Sequence, residues 1–264
     1  LDEKMSGFSL KKMSLKLVAN NKQTSIDNFA IELPETSLKM DTIHLVYDSL
    51  QAFEHFAEEV HFSFRTLPSQ ITLKDISPFV PVLSHFKEPI TLDMEVKGTV
   101  DQLNCSHLEI VSEEQQFRLR GDVSLQDLSH PQDAYVYGTL SELSANTRGV
   151  GFLVRNLNPD YNGVPPILER LGNISFRGEI SGYFTDLVTY GQLRTSLGDV
   201  KTDLKLSADK SKGLFAYSGA VKTTDFKLGE LLANEQLGEI TFNLDVHGRH
   251  ITNQRPTVEL KGLI

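Results

Sequence analysis

Along most of this chain, apolar side chains recur at every second position, and Lys, Asp, Glu, Arg, Ser and Thr fill the positions between them. A period of two puts successive side chains on opposite faces of an extended strand. The pattern therefore predicts antiparallel sheet with one dry face and one wet face, whereas buried parallel strands would read as continuous Val/Ile/Leu runs. The apolar sides are Phe29, Ile31 and Leu33; Ile43, Leu45 and Tyr47; Val60, Phe62 and Phe64; and Ile71 with Leu73. They continue with Phe117, Leu119 and Val123; Leu204 and Leu206; Phe215, Tyr217 and Val221; and Val258 with Leu260.

Helical signals are few and short. Ser77 before Pro78 reads as an N-cap with proline in the first turn, opening a helix from Ser77 to Phe86. Pro165-Pro166 and Gly172 bracket a second one over Val164 to Leu171. Phe226, Leu228, Leu231 and Leu232 give helical spacing within Asp225 to Gln236, and Leu50, Phe53, Phe56 and Val60 outline a fourth helix that overlaps the following strand.

Those helices expose an internal repeat. Three of them lead into an Ile, and in each case a Gly follows at the same separation: Ile90-Leu92-Met94-Val96-Gly98, Ile174-Phe176-Gly178-Ile180-Gly182, and Ile240-Phe242-Leu244-Val246-Gly248. Leu103 and Leu187 each lie five residues beyond the glycine of the first two copies. Gly98, Gly182 and Gly248 are expected to mark turns or bulges at strand ends. With no Pro/Ser/Gly-rich linker, residues 1–264 read as one array of three stretches, about 1–75, 76–160 and 161–264; the best loop, Asn156 to Val164, is a turn between repeats.

Several function classes are disfavoured. The net charge of -9, with no Lys/Arg run longer than a pair, argues against nucleic acid. One cysteine, Cys105, allows neither a disulfide framework nor a cysteine metal site, and reads as a small buried hydrophobe. No run of about 18 apolar residues is present, so no transmembrane helix is expected within the chain, and its start carries no signal-peptide pattern. His247 and His250 are placed on opposite faces by their spacing, and His55 and His61 flank Glu58 and Glu59 without the H-E-x-x-H order. Gly149 and Gly151 lack a third glycine and a strand-then-helix context, so a dinucleotide loop is not expected. Ser112-Glu113-Glu114-Gln115 reads as a solvated hairpin tip. We expect no catalytic residues, no metal ligands and no cofactor.

Two passages carry a family likeness. The first is Ile71-Thr-Leu-Lys-Asp-Ile-Ser-Pro-Phe-Val-Pro81 with Pro89-Ile-Thr-Leu92 and Val96-Lys-Gly-Thr-Val-Asp-Gln-Leu103. The second is Asp225-Phe-Lys-Leu-Gly-Glu-Leu-Leu232 followed by Leu237-Gly-Glu-Ile-Thr-Phe-Asn-Leu-Asp-Val-His-Gly248. Both resemble runs of the AsmA/TamB-like family, the second in particular the TamB-like translocation and assembly module proteins of Bacteroidetes; His250 departs from the pattern, which has a glycine there. The triplets Asp41-Thr42-Ile43 and Asp48-Ser49-Leu50 also look like the O-glycosylation triplet of Bacteroidetes envelope proteins.

The resemblance implies a central piece of a periplasmic protein anchored in the inner membrane. Such a piece would carry phospholipid or another acyl-chain lipid between membranes, and the full-length protein would meet an outer-membrane barrel and serve outer-membrane assembly. The expected fold is all-β, an elongated and curved antiparallel sheet forming a U-shaped groove, with three or four short helices. Its lining is assigned to Ile43, Leu45, Phe62, Phe64, Ile90, Leu92, Met94, Val96, Phe117, Leu119, Ile174, Phe176, Ile180, Phe215, Tyr217, Ile240, Phe242, Leu244 and Val246. The alternative is a closed β-sandwich serving as a structural or adhesin-like module, with the same residues as ordinary core.

Overall fold

The computed structural model describes residues 2–3, 8–78, 81–130, 133–157, 163–209, 214–251 and 257–263. Two short strands, β1 (Asp2–Glu3) and β2 (Phe8–Ser9), pair with each other. The rest form one 15-stranded sheet. Its first members are β3 (Lys12–Ala19), β4 (Gln23–Glu32), β5 (Ser37–Met40), β6 (Ile43–Val46), β7 (His61–Ile71), β8 (Ile90–Gly98), β9 (Gln102–Ser112) and β10 (Phe117–Gln126). It continues through β11 (Tyr135–Ala145), β12 (Ile174–Tyr183), β13 (Asp186–Thr195), β14 (Gly198–Asp209), β15 (Leu214–Lys227), β16 (Glu239–Ile251) and β17 (Thr257–Leu263). Spatial order follows chain order, and the pairings are antiparallel; β5 and β6 both lie between β4 and β7. The all-β, antiparallel expectation holds.

The repeat corresponds to a period of four strands. Its three copies are β8, β12 and β16, and each is entered from a helical connection at the same rim, where Ile71 pairs Ile90, Ala145 pairs Ile174 and Phe226 pairs Ile240. That rim carries 3-10 turns at Leu73–Ile76 and Pro81–His85, then α2 (Thr147–Leu157), α3 (Pro166–Arg170) and α4 (Leu228–Leu232). The opposite rim carries a 3-10 turn at Leu50–His55 and α1 (Phe56–Glu59).

Helix expectations need correcting in detail. The segment from Ser77 to Phe86 is not one α-helix: Ser77 ends the first 3-10 turn and Pro81 opens the second, with residues 79–80 outside the described ones. Pro81 removes the N–H that an α-helix capped by Ser77 would bond to the Ser77 carbonyl. The Asp225 to Gln236 helix shrinks to α4, because β15 runs on to Lys227 and Ala233 adopts a left-handed conformation (φ 52°) that stops it. The Asn156 to Val164 loop lies mostly outside the described residues.

The largest correction is α2. Gly149 and Gly151 do have a strand-then-helix context, since they follow β11 and sit in the first turns of α2. The Asn146 side chain accepts a hydrogen bond from the Gly149 N–H at 2.9 Å and caps the helix. A Cβ at Gly149 would strike the backbone carbonyl of Gln116, so this glycine lets the start of α2 lie against the chain entering β10.

Bulges interrupt alternate strands of the first half. The register slips on β7 between Arg65 and Ser69, on β9 around His107 (φ 53°), and on β11 between Leu140 and Leu143. Each extra residue bends its strand and increases its twist. From β12 through β14 the pairing runs without a slip.

The molecule exposes 16487 Å², whereas a compact monomer of this mass would expose roughly 11,500 Å². A sheet that folded into two packed layers would not have such an excess. With neighbouring strands about 4.8 Å apart, it extends on the order of 70 Å across its strands.

Candidate functional site

The register aligns apolar residues into rows that cross the sheet. Nearest the helix-bearing rim, Leu92 pairs Ile110, then Leu119, Leu143, Phe176, Leu193, Val200, Thr223 and Phe242 follow from β10 to β16. A second row runs Phe64, Val96, Cys105, Val123, Gly138, Ile180, Thr189, Leu204, Gly219, Val246 and Leu260. A third, near the other rim, starts at Leu45 and Phe62 and passes Gly98, Leu103, Leu125, Val136, Gly182, Leu187, Leu206 and Tyr217. None of these rows contains an Asp, Glu, Lys, Arg or His.

The intervening positions form the opposite face and are mostly polar or charged, with Tyr137, Tyr183, Val188 and Tyr190 exposed among them. Arg120 donates to Glu109 at 2.7 Å there, and Lys205 meets Asp186 at 2.8 Å. Hydrogen bonds from Lys205 and Ser207 hold the Asp186 carboxyl below its ordinary range. Such exposed pairs add little stability; their effect is to keep one side of the sheet hydrated.

Covering of the apolar face differs along the sheet. At the helix-bearing rim of β7 to β12, Val150 and Phe152 of α2 join Ile71, Ile90, Phe117 and Ala145 in one buried cluster, with Leu92, Ile110, Leu119, Leu143 and Ile174 packed against it. The Phe117 and Phe152 rings stack with centroids 5.9 Å apart. Val96 (3% exposed) and Cys105 (7%) are buried outside that cluster. Burial pushes the Cys105 thiol up to about 11, with Asp122 adding to the effect.

From β12 to β16 the same rows are only half-buried. Phe176, Ile180, Leu187, Leu193, Val200, Leu204, Leu206, Tyr217, Val221, Phe242 and Val246 all keep part of their surface in contact with solvent, while Thr223 in the first row and Leu244, which lies between rows, are buried. The floor here includes bare backbone. The Phe176 ring lies over Gly178 and Gly191, and the Tyr217 ring lies over Gly248, which covers glycines that would otherwise leave gaps in the strand surface.

The residues assigned to the lining fall mostly on these rows. Leu45, Phe62, Phe64, Leu92, Val96, Leu119, Phe176, Ile180, Tyr217, Phe242 and Val246 do so directly, Ile43 pairs Ile26 two positions from Leu45, and Leu244 pairs Val221 between rows. Met94 sits opposite the β9 bulge, where its backbone N–H donates to Thr66 Oγ1 at 2.8 Å. Ile90, Phe117 and Ile174 belong to the cluster around α2 rather than to open lining. Ile240 lies beyond the slip in β15, paired with Phe226, and Phe215 is exposed near the opposite rim.

Gly98 (φ 128°) and Gly182 (φ 129°) do serve hairpins, pairing Leu103 and Leu187, which explains the shared five-residue spacing. Gly248 does not end its strand: β16 continues to Ile251, and the glycine makes room for Tyr217. Among the described residues, no three His, Cys, Asp or Glu come together as a possible metal site, and no helix is long and apolar enough to cross a membrane.

Comparison of the chain with protein-family models, curated proteins and solved structures finds no match.

Proposed function

We propose that this chain is a lipid-binding segment of a cell-envelope protein, holding acyl chains on its apolar face and so contributing to phospholipid transfer between inner and outer membranes and to outer-membrane assembly. The observation that carries the reading is the set of charge-free rows whose apolar side chains are only partly buried from β12 to β16. Monomeric soluble proteins rarely leave a contiguous apolar surface of that extent uncovered unless something binds it. What seats on the face elsewhere in the molecule is α2, which presents phenyl and alkyl groups, so the chemistry it accepts is hydrocarbon.

Removing a methylene from water is worth about 0.8 kcal/mol. A 16-carbon chain laid on the face, with one side still open, would recover on the order of 5–10 kcal/mol, a large part of the cost of leaving a bilayer. Head groups need no dedicated contact, because they remain in water. A closed sandwich would instead require a second sheet about 10 Å above these rows; the only other sheet among the described residues is the β1–β2 pair.

The likeness to the AsmA/TamB-like family supports a periplasmic setting, with an inner-membrane anchor and an outer-membrane barrel partner in the whole protein. Catalysis forms no part of the proposal. Phe176→Glu and Phe242→Glu each place a charge in the first row. Both should cut lipid co-purification at least about tenfold by native mass spectrometry, since an unpaired charge there is costly to cover, while the circular dichroism stays strand-like. Unchanged lipid occupancy in both variants would count against the proposal.

A further inference from the structure

The sheet has two open edges, and they match each other. Among the described residues, β3 and β17 each have a neighbouring strand on one side only, and every residue of both is exposed. Such a strand offers its outward N–H and C=O groups to any chain that can pair with it, and proteins ordinarily shorten these edges or break them with proline. Neither strand contains a proline, and their lengths agree, eight residues in β3 and seven in β17. Leu17 is 55% and Leu260 59% exposed, well above the half-buried Leu193 and Leu204, so each edge gains burial from one further strand.

The path from β17 to β3 has fourteen positions joined by thirteen antiparallel steps, so the two edge strands run in opposite directions. A second copy set beside the first in the same orientation therefore brings its β3 antiparallel to the first copy's β17, with both apolar faces on one side. On β3 that face carries Met13, Leu15 and Leu17: Met13 pairs Ile31 and through it Leu38, which packs on the core cluster, and Leu17 pairs Ile26 and through it Ile43. On β17 it carries Val258 and Leu260, which pair Gly248 and Val246.

Charge selects the register. With Glu259 opposite Lys16, Leu260 faces Leu15, Val258 faces Leu17 and Lys261 faces Ser14. A shift of two residues either way sets Lys261 opposite Lys12 or Lys16, and a shift of one turns apolar side chains to the wet face. Joining β3 to another β3 would gather four lysines along the seam with no acid, and joining β17 to another β17 would leave the longer apolar edge of β3 open. We infer that the chain associates head to tail with a second copy of itself, β17 of one pairing with β3 of the next. The contact is heterologous, so it leaves a free edge at each end and continues into longer assemblies. It stands whatever the apolar face holds.

Two single-cysteine forms of the 264-residue chain test this, Leu15→Cys and Leu260→Cys, each with Cys105→Ala. Residues directly opposite in an antiparallel pair lie about 4.5–5.5 Å apart at Cα, within disulfide reach. Mixed and oxidised without lipid, the two forms should give the 15–260 disulfide at least about tenfold more than 15–15 or 260–260. The wild type should sediment as a series of species that lengthens with concentration. Glu259→Lys should weaken association about fivefold, and adding Lys16→Glu should restore it. A wild-type chain that stays monomeric up to about 1 mM would overturn the inference. So would a majority of 15–15 or 260–260 disulfides, or a charge exchange that restores nothing. The cysteines sit on exposed edges and remove no buried contact, so the disulfide pattern reads the pairing in a folded chain.

Discussion

The sections β8–β11 and β12–β16 present similar apolar rows, and differ in that α2 packs on the first. In the first, α2 caps the rim and bulges on β9 and β11 bend the strands, so Phe117, Val96, Cys105 and Leu140 are buried. In the second, β12 to β14 pair without a slip, and Phe176, Leu193 and Leu204 are only half-buried. The difference shows that one sheet can carry its core and its binding surface side by side, with cover rather than composition separating them. Burial in the first section supplies stability; partial exposure in the second leaves free energy available for a ligand.

Phenylalanine truncation should break this symmetry most visibly. Phe152→Ala removes a ring 4% exposed and is expected to cost roughly 3–4 kcal/mol, read as a lower urea midpoint. Phe176→Ala, on the half-exposed section, should cost less than half as much in the lipid-free protein, because less area is lost from burial. Equal losses would mean that the second section is as tightly packed as the first.

Thiol chemistry sharpens the same contrast. A shift of the Cys105 thiol from 9.0 to about 11 lowers its thiolate fraction at pH 8 about a hundredfold, and Cys105 should react with a disulfide reagent correspondingly slowly until the chain unfolds. A cysteine placed at Leu204 in a Cys105→Ala background should react at a rate near that of a free thiol. Similar slow rates at both positions would remove the distinction between the sections.

Much of this was legible in the sequence where strands are unbroken. Phe62 with Phe64, the three Ile-to-Gly copies, and Leu204 with Leu206 keep strict alternation, and they fall on the apolar face. Strands β9 and β11 were harder to read because each changes phase in the middle. Leu103 and Cys105 share a face with Leu108 and Ile110 only because His107 is bulged out, and Val136 and Leu140 share one with Leu143 for the same reason at Ser141. Small residues such as Gly138, Thr189 and Gly191 also dilute the apolar signal where the backbone itself is the floor.

Helix α2 was hidden differently. Val150, Leu153, Val154 and Leu157 have helical spacing and Asn146 is a good cap, but Gly149 and Gly151 are poor helix formers. The role of Gly149 emerges only once the carbonyl of Gln116 is seen against the helix. Where the covered section ends, and hence the size of the open one, depends on that tertiary contact and on no local pattern.

The central claim is that hydrocarbon rests on one face of the sheet and not on the other. Leu204 and Lys205 are adjacent on β14 but point to opposite faces. A nitroxide attached at Leu204→Cys or at Lys205→Cys, each with Cys105→Ala, can be mixed with a phospholipid spin-labelled deep in its acyl chain. Dipolar broadening at position 204, with none at 205, is the result expected; equal broadening at the two sites, or none at 204 under saturating lipid, would contradict the account.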